Sequence, residues 1–236
     1  MHKSGIAQEA IDLVIARRGR AHVYDRLEPR ATALVVIDMQ NTFMKEGAPA
    51  EVPVAREIVP NINRLAAGLR QVGGVVAWVQ MTLTRGGPND WNRFFDELNM
   101  PARAQRMLEG LTEGTDGWRL WSTLDVQESD LVVPKNRYSA FLPGSSDLPE
   151  ILTSRGVDTV LITGTLTNVC CESSARDAMM RNFKTVMVSD ANATLTEFEH
   201  QAALTSVYRA FGDVLSTDEV LAALGAAPGA ARTAAE

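Results

Sequence analysis

Cysteine is scarce in this chain, and its only two cysteines, Cys170 and Cys171, are adjacent. Neighbouring cysteines rarely form a disulfide because their Cβ vectors point apart. A signal peptide has its basic residues before an uncharged apolar core, whereas here the apolar stretch 10–16 contains Asp12 and precedes Arg17. No apolar run reaches the eighteen or so residues that span a membrane. We therefore expect a cytoplasmic protein with reduced thiols and no membrane partner.

Positive charge is also in deficit, since the net charge is −6, and this argues against a nucleic-acid partner. The chain has 236 residues with 45% hydrophobic content, enough for one large domain with a substantial core. We divide it into an N-terminal helical extension at 1–30 that lies outside the main fold, a domain at 31–224, and an Ala/Gly-rich tail at 225–236 that we expect to be disordered.

Apolar, β-branched runs alternate with helical periodicity along most of the sequence. This alternation predicts an α/β fold, a three-layer α/β/α arrangement with a mostly parallel central sheet. The predicted strands are 33–37, 75–80, 130–134, 159–163, 185–188 and 214–215. The predicted helices are 6–18, 54–72, 146–155, 168–182, 197–210 and 217–224, with Pro60 starting or kinking the second.

The segment 82–117 shows the least regular pattern and contains several aromatic residues, among them Trp91, Phe94 and Phe95. Long irregular segments in compact domains are often lids or binding loops. An ordinary surface excursion anchored by its aromatic side chains, or a subunit interface, explains the same pattern. The sequence leaves these alternatives open.

The stretch 159–178 runs from a buried strand through Gly164 directly into a helix that carries both cysteines. Helical spacing places Cys171 on an apolar stripe with Ala175 and Ala178, which indicates a small core residue. Cys170 falls on a polar stripe, so we expect an exposed thiol whose thiolate is favoured by the positive end of the helix dipole. Two inert core cysteines are the competing interpretation.

Three predicted strands end in residues able to do chemistry: Asp38, Lys135 and Cys170. Because parallel strands present their carboxyl ends at one edge of the sheet, we expect these side chains to converge there. An acid, a cation and a thiol form a plausible nucleophile, base and orienting set. Taken alone, Asp38 has the alternative interpretation of a cap of the following loop, a common role for aspartate.

The sequence resembles the isochorismatase-like cysteine hydrolase superfamily over residues 31–224. The resemblance is carried by the segments 34–41 (LVVIDMQN), 134–141 (PKNRYSAF) and 164–178. The segments 135–139 and 167–173 are most similar to ureidoacrylate amidohydrolases. The superfamily fold is Rossmann-like, a parallel sheet flanked by helices, which agrees with the predicted architecture.

The resemblance assigns a catalytic triad to Asp38, Lys135 and Cys170. Our mechanistic hypothesis assigns an oxyanion hole to the backbone N–H groups of Leu166 and Cys170 at the strand-to-helix turn. The resemblance also implies a cis peptide between Thr165 and Leu166, which would aim the first of these groups. Nicotinamidases of the superfamily carry a metal site built from an aspartate and histidines after the second strand. None of the three histidines of this chain lies there, so no metal or other cofactor is implied. A homodimer or homotetramer is implied.

Substrate contacts are assigned to side chains that follow strand ends or lie in the irregular segment, namely Asn41, Phe43, Gln80, Trp91, Tyr138 and Phe141. Arg85, Arg93 and Arg137 are each candidates to pair with a substrate carboxylate, since Arg suits planar bidentate recognition. For any one of them a solvated surface position is the simpler interpretation. His200, on a predicted helix, is structural or solvent-facing.

We interpret the chain as a cysteine-dependent amidohydrolase that cleaves a C–N bond of a small amide or ureido substrate through a thioester. One alternative is an acid–base hydrolase of a vinyl ether, as in isochorismatases proper, for which Cys170 is dispensable. Another is a non-enzymatic flavodoxin-like redox module in which Cys170 and Cys171 form the switch. Retention or loss of turnover in Cys170→Ala and Asp38→Asn separates these hypotheses.

Overall fold

A six-stranded sheet forms the centre of the protein in the computed structural model, which describes residues 1–2, 5–87 and 90–225. The strands are β1 Thr32–Ile37, β2 Val75–Met81, β3 Leu131–Lys135, β4 Thr159–Thr165, β5 Lys184–Ala193 and β6 Asp213–Leu215. Their order is β3-β2-β1-β4-β5-β6, and every neighbouring pair is parallel. The predicted α/β architecture is confirmed, with a sheet that is entirely parallel.

Helices cover both faces of this sheet, as right-handed crossover connections require. The α-helices are α1 Gln8–Arg18, α2 Asn41–Met44, α3 Val59–Gln71, α4 Pro101–Leu111, α5 Leu148–Ser154, α6 Glu172–Met180, α7 Glu197–Ala210 and α8 Thr217–Ala223. The helix predicted at 54–72 begins at Val59 with Pro60 in its first turn, where proline is tolerated, and a 3-10 turn occupies Pro53–Ile58.

Strand β1 shows how the layers are built, because it is fully buried and its side chains alternate between the two faces. Leu34 and Val36 pack against α3 and α8 on one side. Ala33, Val35 and Ile37 pack against α1, α5, α6 and α7 on the other. A strand buried on both faces reads as a continuous apolar run, which is why the sequence identified it.

Helix α1 is part of this packing, contrary to the prediction of a helix outside the main fold. Its Val14 is buried in the same cluster as Val207 and Tyr208 of α7. The tail predicted to be disordered lies outside the described residues beyond Gly225.

The segment 82–117 contains a helix that the prediction missed. A wide turn at Arg93–Glu97 is followed by α4, which begins with Pro101 as its first residue. With side chains from α2 and from the end of β2 they form a third apolar cluster over the carboxyl edge of the sheet, made of Phe43, Met81, Leu83, Phe94, Phe95, Ala104, Met107 and Leu111. This cluster builds a wall above the strand ends that carry Asp38 and Lys135.

Candidate active site

Asp38 follows β1 directly and is fully buried. Its backbone has a φ of 54°, in the left-handed region that few residues other than glycine, asparagine and aspartate adopt. Its N–H donates to Val79 O at 2.9 Å, and its Oδ1 accepts from Met81 N–H at 3.1 Å. Both contacts come from β2, so the neighbouring strand fixes the direction of the carboxylate.

Lys135 ends β3 and is buried against Asp38, with Nζ 2.8 Å from Asp38 Oδ2. β1 and β3 are separated by β2, a gap of about 9–10 Å at the usual strand spacing. The four-carbon stem of a lysine spans that gap, so the cation reaches the carboxylate. Lys135 Nζ also donates to Arg137 O at 3.1 Å.

Cys170 completes the cluster, since its thiol lies beside Asp38 and Lys135, near enough for both charges to act on it. It is only 3% exposed, so the prediction of an exposed thiol was wrong. The residues Thr167–Cys171 form a wide π-type turn, closed by Cys171 N–H donating to Leu166 O at 3.2 Å, and α6 begins only at Glu172. The 3.6-residue period used in the prediction does not hold in such a turn.

Burial controls the ionisation of this cluster. Burial raises the pKa of Asp38 above its ordinary value, although the Lys135 cation and the hydrogen bonds oppose the rise. Burial by itself would lower the pKa of Lys135, but the Asp38 charge outweighs it and the pKa is raised. Burial and the Asp38 charge raise the pKa of the Cys170 thiol. The resting site is therefore a neutral thiol beside a buried ion pair, not the thiolate expected from the helix dipole.

Cys171 is fully buried and packs in the core with Ala175 and Ala178. Its Sγ lies 3.8 Å from Thr163 O. Burial raises the pKa of this thiol well above the ordinary range. The prediction that Cys171 is a small core residue is confirmed.

Gly164 allows the backbone of β4 to pass close to β1 just before the turn at Thr167–Cys171, which we call the cysteine turn. A Cβ at this position would lie 2.1 Å from Ile37 O, and the φ of 112° is one that glycine alone adopts readily. The peptide bond between Thr165 and Leu166, just after this glycine, is cis, as the resemblance implied. This strand-to-turn junction places Cys170 beside the end of β1.

A cavity of about 220 Å³ opens onto the Cys170 thiol. Its walls come from β2, α4, the wide turn at 93–97, the cysteine turn and the loop after β3. It is lined by Phe43, Ala50, Met81, Phe94, Leu98, Asn99, Arg103, Met107, Leu111, Tyr138, Leu166, Val169 and Cys170. Its volume lies below the roughly 300–1,000 Å³ of sites that hold drug-sized ligands, which indicates a small substrate.

The predicted substrate contacts divide into two groups. Phe43 and Tyr138 line the cavity. Trp91 does not line it, but its ring packs 4.7 Å from that of Tyr138, on the side of a neighbouring surface groove.

Three predicted contacts do not line the cavity because their side chains serve the fold. Asn41 Nδ2 donates to Asp116 O at 2.8 Å, and Gln80 Nε2 donates to Trp118 O at 2.8 Å. Phe141 is fully buried against Phe183. Their positions after strand ends correctly predicted the edge of the sheet at which these residues lie, but not the direction in which each side chain points.

None of the three predicted arginines lines the cavity. Arg85 forms ion pairs with Asp90 and Asp96, and Arg93 pairs with Glu97. The Arg137 guanidinium lies 5.1 Å from the centre of the Trp91 ring.

Arg103 and Asn99 were missed by the sequence analysis, and both line the cavity beside Tyr138. Arg103 lies on α4, and the signal that could have located that helix is Pro101 followed by apolar side chains at 104, 107, 108 and 111.

His200, left open as structural or solvent-facing, is fully buried on α7, where its Nδ1 lies 2.9 Å from Thr167 Oγ1. Within residues 1–2, 5–87 and 90–225, no three His, Cys, Asp or Glu side chains are grouped as they would be around a metal ion. The helices of that same part of the chain include none with the length and hydropathy needed to span a bilayer.

Comparison with known proteins places this geometry in a family. The sequence profile described as the isochorismatase domain matches residues 32–219. The chain belongs to the isochorismatase family. The resemblance noted from the three sequence segments is thereby confirmed.

Relatives within the family are similar over most of their length. The chain is 36% identical over 207 residues to a ureidoacrylate amidohydrolase, RutB, of Pseudomonas syringae pv. syringae, covering 82% of this chain and 84% of that protein. The crystal structure of a cysteine hydrolase from Pseudomonas syringae pv. phaseolicola 1448A matches with a TM-score of 0.75 at 29% identity, covering 84% of this chain and 93% of that one. N-carbamoylsarcosine amidase from Thermoplasma acidophilum matches with a TM-score of 0.64 at 26% identity, covering 79% and 96%.

Proposed function

We propose that the chain is a hydrolase of C–N bonds that cleaves a small amide or ureido substrate through a covalent thioester on Cys170. The observation that carries the proposal is the position of the Cys170 thiol, which lines a small cavity beside the buried Asp38–Lys135 ion pair. The names of two relatives, a ureidoacrylate amidohydrolase and an N-carbamoylsarcosine amidase, support an amide or ureido carbonyl as the reacting group.

In the first step, Asp38 accepts the thiol proton as the sulfur attacks the carbonyl carbon. Burial makes Asp38 a stronger base than an ordinary carboxylate, because its pKa is raised. Lys135 remains cationic because the Asp38 charge raises its pKa, and it compensates the negative charge that moves onto sulfur. Proton transfer inside the cluster removes the need for a thiolate in the resting enzyme.

The tetrahedral intermediate places negative charge on the former carbonyl oxygen. We assign its stabilisation to the backbone N–H groups of Leu166 and Cys170, in the turn that follows β4. Asp38, now protonated, gives its proton to the departing nitrogen as the C–N bond breaks. The acyl group stays on the sulfur as a thioester.

Water completes the cycle. Asp38 accepts a proton from a water molecule as its oxygen attacks the thioester carbonyl. The C–S bond then breaks, and Asp38 gives that proton to the departing sulfur, which restores the thiol and the carboxylate. For a ureido substrate the acyl group is carbamoyl, so the released product is carbamic acid, which decomposes to ammonia and carbon dioxide.

The test compares Cys170→Ala with Cys171→Ala on a panel of small amides and ureido acids, with ammonia release as the readout. Cys171 is the matched control, since it is the adjacent thiol and lies in the core. We expect Cys170→Ala to lose turnover and Cys171→Ala to retain it. Turnover that survives in Cys170→Ala but is lost in Asp38→Asn contradicts the thioester and supports the acid–base hydrolase alternative.

A further inference from the structure

Arg103 lies at the rim of the cavity that opens onto Cys170. The other lining side chains are apolar or neutral, the Cys170 thiol included, so among the described lining residues Arg103 is the one permanent charge. The other cation near the thiol, Lys135, is already neutralised by Asp38. The cavity thus has apolar walls, a nucleophile at one point and a cation at another. It suits a molecule with an electrophilic carbonyl at one end and an anionic group at the other.

The Arg103 guanidinium is held in place by neutral oxygens. Its Nε donates to Asn99 Oδ1 at 3.0 Å and its Nη1 to Pro49 O at 2.9 Å. Asn99 is itself fixed, since its Nδ2 donates to Phe94 O at 2.8 Å. Two hydrogen bonds, from different nitrogens of the side chain, therefore set the orientation of the guanidinium before any ligand binds.

Arg103 differs from Arg85 in having no counter-ion among the residues that the structure describes. Arg85 is neutralised by Asp90 and Asp96, whereas no carboxylate of the described residues lies within ion-pairing distance of Arg103. In the part of the chain that the structure describes, its second terminal nitrogen, Nη2, also has no hydrogen-bond acceptor. An oriented guanidinium without a counter-ion is a ready partner for a planar anion.

We propose that Arg103 binds the carboxylate of the substrate and selects small acids that carry their amide or ureido group at the opposite end. This rests on the proposed function for the identity of the reacting group. Arg103 thereby takes the role for which the sequence analysis had considered Arg85, Arg93 and Arg137.

The test uses two ureido compounds that differ in one group: 3-ureidopropionate, and the same molecule with its carboxylate replaced by a neutral N-methylamide. Ammonia release gives kcat/KM for each. We expect the ratio of acid to N-methylamide to fall about 10- to 100-fold in Arg103→Gln, mainly through KM, because a charge-assisted contact is lost. The ratio in Arg103→Lys should lie between those of the unaltered protein and Arg103→Gln, since lysine keeps the charge but loses the two parallel N–H donors of the guanidinium.

Arg106→Gln is the matched control, because Arg106 is an exposed arginine on the same helix that does not line the cavity. Its acid-to-amide ratio should equal that of the unaltered protein. An unchanged ratio in Arg103→Gln, in a protein that circular dichroism shows to be folded, overturns the proposal.

A binding measurement separates this proposal from the proposed function. Calorimetric titration of 3-ureidopropionate into Cys170→Ala, with and without Arg103→Gln, needs no turnover. Binding that is lost with Arg103→Gln supports the carboxylate contact even when the unaltered protein cleaves neither compound. Absence of binding to Cys170→Ala, or binding that is the same with Arg103→Gln, overturns it.

Discussion

Asp38, Lys135 and Cys170 lie together below the cavity, and their ionisation follows from burial and from one another's charges. The Asp38 carboxyl is buried away from water with the Lys135 cation beside it, and its pKa is higher than in solution. The lysine holds its proton because the carboxylate is beside it, and the thiol holds its own because ionisation would add a second negative charge. Activity should therefore depend on Asp38 being ionised.

We predict that kcat/KM is lost as the pH falls through the raised pKa of Asp38. The acid limb should lie above the value of about 3.9 typical of aspartate. Because the pKa values of Lys135 and Cys170 are both raised, no alkaline limb should appear up to about pH 9. Steady-state kinetics across this range, with circular dichroism at each pH to confirm folding, measures the profile. An alkaline limb near neutral pH contradicts this ionisation scheme.

Removing one partner of the buried ion pair should cost more stability than removing both. Lys135→Met leaves the Asp38 carboxylate without its cation, and breaking a buried pair in this way costs about 3–5 kcal/mol. Lys135→Met combined with Asp38→Asn replaces the charge by a neutral amide and should recover part of the loss. Urea unfolding at neutral pH gives the free energies. A double variant no more stable than Lys135→Met would show that the uncompensated charge is not the cause.

The junction of β4 with the cysteine turn depends on a close approach between backbones. Ile37 pairs with Gly164 in the sheet, and Ile37 O occupies the space that a side chain at position 164 would need. A glycine here is required by contact as well as by φ. The sequence shows Gly164 as a break in an apolar run, but the contact with β1 exists only in the folded sheet.

Gly164→Ala should lower the free energy of unfolding by at least about 3 kcal/mol, from positive-φ strain and overpacking together. Gly156→Ala is the matched control, since Gly156 has a φ of 76° but no atom within 4 Å of an added Cβ. It should lose only about 1 kcal/mol, from strain alone. Urea denaturation of both variants measures the difference. Equal losses of unfolding free energy in the two variants would mean that the backbone around Ile37 shifts and relieves the contact with the added Cβ.

The elements that the sequence predicted correctly are those with a strong local pattern. The run at 33–37 is apolar on both faces, and that pattern belongs to a buried parallel strand. Helix α4 was missed because it lies in a segment interrupted by glycine, proline and charge, and it is half exposed. The wide turn before α6 was missed because its geometry differs from the regular helix, which reversed the predicted exposure of Cys170.

Distant parts of the chain meet around His200. The ring stacks on His2 at 4.7 Å, its Nδ1 contacts Thr167 in the cysteine turn, and His2 Nδ1 lies 3.2 Å from Glu197. Burial lowers the pKa of His200 to about 4, and the neighbouring His2 adds to this while Glu197 opposes it. His200 is therefore neutral in the folded protein near pH 5 but protonated in the unfolded chain.

Stability should fall as the pH decreases from about 6.5 to about 4, because the unfolded state takes up a proton that the folded state refuses. A pKa lowered from about 6.5 to about 4 corresponds to about 3 kcal/mol across this interval. His200→Gln removes the titrating group, so its stability should fall less over the same range. Urea unfolding at pH 7 and pH 4.5 gives both differences. Equal pH dependence in the two proteins would exclude His200 as the source.

The sequence predicted that Asp38, Lys135 and Cys170 lie together because parallel strands bring their carboxyl ends to one edge. It did not locate the cavity, since Arg103 reaches it from a helix that lies over the sheet, while Asn41 and Gln80 turn away to bond the loop at 116–118. Which side chains face a cavity depends on packing between elements distant in sequence. A local pattern carries no information on that packing.

The covalent intermediate is the central claim, and mass spectrometry of the intact protein tests it most directly. The protein is mixed with 3-ureidopropionate or another member of the amide and ureido panel, and quenched in acid during turnover. We predict a mass increment equal to the acyl group, located by digestion on Cys170, absent in Cys170→Ala and present in Cys171→Ala. Steady turnover without an increment on the unaltered protein, and with little loss in Cys170→Ala, would contradict the account.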